Sequence, residues 1–167
     1  MTQLETFRNQ KDLFFETDQH SPLTAEQKSS FDGLNYFPEN NELRLELKIE
    51  EFETKESIKM QTSTGDVQDY VKAGKIHFTV KDELAELTVY QSHHGYFIPF
   101  VDKNGGKVTY GAGRYLDPPL LDNGQLEIDF NQAYNPYCAY NENYSCPLPP
   151  SENRLSVAIE AGEKNFK

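Results

Sequence analysis

Arg114 enters an acidic stretch. Between it and Arg154 the sequence has no lysine or arginine, yet it carries Asp117, Asp122, Glu127, Asp129, Glu142 and Glu152. An arginine beside Gly113, at the start of a strand, presents a bidentate fork to a carboxylate or phosphate. That anion comes either from a ligand or from the protein itself, as Asp129 or Glu163. Asp129 lies between Ile128 and Phe130, so strand alternation turns it away from them, toward solvent or a covered pocket. Nearby phenols and amides suit a polar ligand, although asparagine equally bonds turn backbone and tyrosine equally packs with its hydroxyl on a carbonyl. The candidate ligand-binding set is therefore Arg114, Tyr115, Asp129, Asn131, Tyr134, Asn135, Cys138, Tyr140, Cys146, Asn153 and Glu163.

Cys138 and Cys146 admit several chemistries. A disulfide would close a short loop in an oxidising compartment. Zinc asks for about four ligands, and only His20, His77, His93 and His94 could join the thiols; no Cys-x-x-Cys or His-x-x-x-His spacing is present. No metal and no cofactor are expected. A nucleophilic cysteine needs a histidine base, which nothing in the sequence places beside either thiol. Reduced thiols packed as small hydrophobes, or set near a pocket, remain. Gly111-x-Gly113 either opens amides toward an anion or marks a bulge or bend, and no strand–helix context of a dinucleotide site follows it. His93-His94 precedes Gly95, as at a hairpin tip. Asp129, Glu160 or Glu163 would serve as general base in an enzyme, with Arg114 as electrostatic stabiliser.

These residues must be held by β-structure. Leu43, Leu45, Leu47 and Ile49 alternate with Arg44, Glu46, Lys48 and Glu50, the period of a half-buried strand. Further strands are predicted at 56–62, 67–72, 75–81, 84–91, 95–101, 107–110, 114–116, 125–130 and 154–160. Turn signals lie between many of them, Ala73-Gly74 and Lys81-Asp82 among them. Short strands with one apolar face predict a mainly β, antiparallel barrel or sandwich. Before residue 35 the signals are helical. Thr2-x-x-Glu5 and Thr24-x-x-Gln27 are capping boxes, predicting helices over 2–18 and 25–30. Leu4, Phe7, Phe14 and Phe15 share the first helix's apolar face, with Lys11 and Asp12 read as lying off it. Segment 131–153 holds four of the ten tyrosines and both cysteines, which predicts a long ordered loop over one opening of the β-structure.

The chain has 167 residues and a net charge of −11, with a mean hydropathy of −0.74. One domain over 1–167 is expected at this length. The acidic balance argues against a nucleic-acid or anionic-membrane partner, and aromatics at 13% argue against disorder. No apolar run approaches a membrane helix and no leader pattern opens the chain, so a cytoplasmic location is expected, a removed leader being the alternative. The expected partner is a small polar or anionic molecule.

Several motifs recur together. They are Thr109-Tyr110-Gly111-Ala112-Gly113-Arg114-Tyr115-Leu116, Asp129-Phe130-Asn131-x-Ala133-Tyr134-Asn135-Pro136-x-Cys138-Ala139-Tyr140, and Ser145-Cys146-Pro147-Leu148-Pro149-Pro150-x-x-Asn153-x-Leu155 followed by Ala161-Gly162-Glu163. With Pro99-Phe100-x-Asp102 and Phe31-x-Gly33-Leu34-x-Tyr36-Phe37, they resemble the bacterial family called domain of unknown function 1684, over roughly residues 10–164. The resemblance implies a mostly β domain with N-terminal helices and implies no activity. Three readings of function stand: a small-molecule-binding β-domain with its polar site around Arg114 and the 129–153 loop, an enzyme using carboxylates, and a structural or interaction module without a pocket.

Overall fold

The computed structural model describes residues 1–166. Two helices open it, α1 (Gln3–Thr17) and α2 (Ala25–Ser29), each started by a complete capping box. The Thr2 hydroxyl accepts from the Glu5 amide at 3.1 Å while the Glu5 carboxylate accepts from the Thr2 amide at 3.0 Å. Eight strands follow: β1 (Arg44–Leu47), β2 (Glu50–Glu51), β3 (Ser57–Gln61), β4 (Val67–Val80), β5 (Glu83–Ser92), β6 (Gly95–Phe100), β7 (Arg114–Leu116) and β8 (Leu126–Asp129). The larger sheet runs β2-β4-β5-β6-β7, with β3 also paired to β4; β1 and β8 form a separate pair. Every ladder between these strands is antiparallel. The sheets face each other without closing into a barrel.

Alternation explains the layering. In β4, Ile76, Phe78 and Val80 are buried while Lys75, His77 and Thr79 point outward or lie part-exposed. They meet Leu87 and Val89 of β5, Ile98 and Phe100 of β6, and Leu126 and Ile128 of the small pair in one apolar cluster. Phe130 joins both sides, its ring centroid 5.3 Å from Phe78 and 5.5 Å from Phe100. A second cluster groups Met60, Tyr90, Phe97, Tyr115 and Cys146. A third docks α1 through Phe15 onto Leu23, Leu34 and Tyr140.

Several predicted elements are corrected. Ala73-Gly74 is no turn: β4 runs through it, with a register shift between Lys72 and Gly74, as at a bulge. The alternating run 43–50 serves two sheets, pairing with β8 up to Leu47 and with β4 from Glu50. Residues 107–110 form no strand, because the Asn104 carbonyl takes the amides of Lys107, Val108 and Thr109 in a tight turn. Residues 154–160 form no strand: they meet the segment after β6 through the Val101–Arg154 bridge and the Lys103 amide on the Val157 carbonyl, and the carbonyls beyond turn inward toward Arg114. The 131–153 segment is ordered by short 3₁₀ turns at Tyr137–Ala139 and Ser151–Asn153 and by bridges Tyr115–Tyr134 and Thr62–Pro147. Among the described residues no helix is long and apolar enough to cross a membrane.

Candidate functional site

Arg114 is 1% exposed. It starts β7 directly after Gly113, whose φ of +98° and close approach to the Phe100 carbonyl leave no room for a Cβ. The guanidinium donates to the carbonyls of Ile159 at 2.9 Å, Ala161 at 2.5 Å and Glu163 at 3.1 Å. Its charge is met by Asp102 Oδ2 at 3.5 Å, and its plane lies 5.2 Å from the Phe100 ring centroid. Asp102 is held in turn by the Thr109 hydroxyl at 2.9 Å and the Ile159 amide at 2.8 Å. Burial lowers the Arg114 pKa, with Asp102 opposing. The expected fork toward a ligand is therefore corrected. The cation is sealed at 1% exposure with its donors on three carbonyls, and its carboxylate is Asp102 rather than the side chain of Asp129 or Glu163.

Most of the polar candidates are likewise internal clamps. Asn153 accepts from the Thr88 amide and donates to the carbonyls of Thr88 and Pro99, all within 2.9 Å. Asn131 accepts from the Asn40 amide at 2.8 Å and donates to the Asn40 carbonyl at 2.9 Å. Asp129 accepts from the Asn131 amide at 3.0 Å and from Arg44 Nε at 3.4 Å. The Tyr115 hydroxyl donates to the Pro147 carbonyl. Asn135 Nδ2 donates to the Lys164 carbonyl at 2.9 Å, while its buried Oδ1 has no partner among the described residues.

Glu163 is a second buried centre. Its Oε1 accepts from the Tyr140 hydroxyl and, at 3.2 Å, from the Asn135 amide, and its Oε2 pairs with Lys11 of α1. Gly162, with φ of +80°, sits so close to the Phe130 and Ala133 carbonyls that a side chain would collide with them; this turn sends the Glu163 carboxylate one way and its carbonyl toward Arg114. Lys11 thus faces inward, contrary to its expected place off the apolar face. Residues 7, 11, 14 and 15 lie on one helical stripe, and Lys11 Nζ sits 5.0 Å from the Tyr134 ring centroid. Asp12 also faces inward, accepting from the Leu34 amide at 3.1 Å; burial is the main reason its pKa is raised.

Between α1 and the segment that follows β7 lies a cleft of about 510 Å³. Five aromatic rings line it: Phe7, Phe14 and Phe15 from α1, and Tyr134 and Tyr137 from the loop. Three carboxylates, Asp117, Glu127 and Asp129, share the lining with the single cation Lys11. Asp117 accepts from the Tyr134 hydroxyl. Of the expected site residues, Asp129 and Tyr134 reach this cleft. The sequence reading missed Lys11, Phe7, Glu127 and Asp117; the signal available for the first two was the 7-11-14-15 spacing.

The two cysteines are free and lie side by side. The Cys138 amide donates to Cys146 Sγ at 3.3 Å, and Tyr110 Oη lies 3.7 Å from Cys138 Sγ. Cys138 is half-buried and Cys146 buried. Hydrogen bonds from the Cys146 thiol, then Tyr110 and Ser63, bring the Cys138 thiol down to about 6, against the effect of its burial. Among the described residues no three His, Cys, Asp or Glu side chains gather as a metal site.

Comparison with known proteins places this arrangement. The family model described as Protein of unknown function (DUF1684) matches residues 29–164. The chain belongs to that family. The matched range of DUF1684 holds Arg114, Asp102, both cysteines and Glu163, and begins after α1, which supplies one wall of the cleft. The solution NMR structure of an uncharacterized protein of Haloarcula marismortui is 37% identical, with a TM-score of 0.71 over 97% of this chain and 92% of that one. A likeness of that coverage takes in α1 as well. No curated protein matches this DUF1684 chain.

Proposed function

We propose that the protein is a small-molecule-binding β-domain whose site is the cleft between α1 and the β-structure. The whole of residues 1–166 acts as one unit, since the helix and the β-structure each supply a wall. The observation that carries the reading is the lining: five aromatic rings around a concavity of about 510 Å³, the size and apolar character of small-molecule sites. Its charge selects the ligand. Lys11 is engaged by Glu163 and Asp129 by Arg44, so the net field in the cleft comes from Asp117 and Glu127. An organic cation with an apolar or aromatic body fits this, through carboxylate pairing and ring-face attraction. The anionic ligand expected from Arg114 does not, because Arg114 is sealed elsewhere.

The carboxylate-enzyme alternative lacks a constellation. Glu160 pairs with Lys81 at the surface, Glu163 is enclosed by Lys11 and Tyr140, and Asp129 holds Asn131 and Arg44. A thermal-shift and calorimetric comparison of phenethylamine and tryptamine with 3-phenylpropionate and indole-3-propionate tests the binding reading. The amines are expected to raise Tm and the acids to leave it unchanged, since a ligand of the native state alone stabilises it. Glu127→Gln should weaken amine binding about tenfold, roughly 1.4 kcal/mol. Equal shifts by amines and acids would remove the charge argument, and no shift by any of the four would remove the site.

A further inference from the structure

We propose that Cys138 and Cys146 are a reversible dithiol–disulfide site, in which a hydroperoxide oxidises Cys138 and Cys146 resolves the product. This does not depend on the cleft reading. Three observations carry it. First, the two cysteines pack in one cluster although eight positions separate them, and the Cys138 amide is bonded to Cys146 Sγ at 3.3 Å. Second, the two thiols differ in access, Cys138 being half-buried and Cys146 buried. That asymmetry separates an attacking sulfur from a resolving one. Third, Cys138 Sγ is surrounded by donors, with Tyr110 Oη at 3.7 Å and the Ser63 hydroxyl and Cys146 thiol beside it. Donors stabilise a thiolate, which is the reactive form.

The backbone around the pair is fixed on both sides. The Cys146 amide donates to Ser63 Oγ at 3.1 Å, and the Ser63 amide donates to the Cys146 carbonyl at 2.9 Å. The Tyr137–Ala139 turn holds Cys138. Cys146 therefore stays in place while Cys138 reacts.

The chemistry balances in two steps. The Cys138 thiolate attacks the peroxide; an S–O bond forms, the O–O bond breaks, and the leaving oxygen takes a proton as water or alcohol. Sulfur loses two electrons and the peroxide gains them. The Cys146 thiol then attacks the sulfenic sulfur of Cys138; an S–S bond forms, the S–O bond breaks, and water leaves with the Cys146 proton. An added dithiol then reduces the disulfide by exchange: its own two thiols become a disulfide as Cys138 and Cys146 regain theirs.

The test is intact-mass and free-thiol measurement on the native reduced protein after stoichiometric hydrogen peroxide. The expected result is loss of both thiols with a mass decrease of about 2 Da, reversed by dithiothreitol, through the disulfide step of the oxidation ladder. Cys146→Ser should stop at a sulfenic acid on Cys138 that dimedone traps, and Cys138→Ser should react at least tenfold more slowly. Circular dichroism of each variant reports whether it has folded, and the wild-type mass result stands whether or not it has. The proposal is overturned if the wild type keeps both thiols, if it gains oxygen without losing 2 Da, or if folded Cys138→Ser reacts as fast as folded Cys146→Ser.

Discussion

At the scale of single residues, Arg114 decides more than any other. It is a buried cation whose donors satisfy three carbonyls and whose charge faces Asp102. Removing one member of such a pair leaves the other uncompensated. Arg114→Met is expected to cost about 3–5 kcal/mol in urea unfolding, and Arg114→Met with Asp102→Asn less than the sum of the single variants, as neighbours couple. The sequence showed that Arg114 needs a carboxylate but not which one. Six acids downstream drew attention, whereas the partner lies upstream in a turn, where only three-dimensional closure brings it near. Asn153 and Asn131 were legible as polar groups and illegible as clamps, because an amide bonded to backbone and an amide offered to a ligand have the same sequence. Cys138 gives a second test. Its thiol is held at about 6, below the ordinary cysteine range near 8.5. Thiolate absorbance at 240 nm should therefore rise around pH 6, and return toward the ordinary range in Cys146→Ser. Because the folded value is the lower one, this group adds stability as pH rises from about 6 toward the unfolded value, and loses it as pH falls through 6.

At the scale of elements, turn chemistry and register carry the lessons. Lys81 and Asp82 join β4 to β5 with φ of +49° and +68°, the conformation of a two-residue hairpin turn that asparagine and glycine favour. The pair reads as a turn in sequence, yet both residues stand in a left-handed region unfavourable to side chains. Lys81→Asn with Asp82→Gly is expected to stabilise the fold by about 1 kcal/mol, read as a higher urea midpoint. The lost Lys81–Glu160 pair is solvent-exposed, and such pairs contribute little. Helix α1 was legible by its capping box, but its inward polar pair was not. Lys11 reads as a solvent residue by type, and only Glu163, far along the chain, gives it a reason to face in. Lys11→Met should destabilise by about 3 kcal/mol, with Glu163→Gln recovering part of the loss, as measured by the midpoint of chemical unfolding.

At the scale of the whole molecule, the antiparallel β architecture was legible because half-buried strands alternate, while the split into two sheets was not. Nothing in the run 43–50 marks where the chain leaves one sheet for the other; that is set by β8 and β4, which pair with its two ends. The cleft also belongs to this scale, since one wall comes from residues 7–15 and the other from residues 116–137. The closure of Arg114 has a consequence for synthesis. Its carbonyl partners lie 45, 47 and 49 positions further on. A nascent chain emerging from its N-terminus carries this guanidinium, with its chamber incomplete, for roughly 2–10 s at translation rates of about 5–20 residues per second. Ribosome-bound chains halted before residue 159 clears the exit tunnel are expected to remain protease-sensitive, and those halted after residue 163 clears it to become resistant. The core is thus locked only once residues 159–163 have emerged, and vectorial synthesis delays folding rather than staging it.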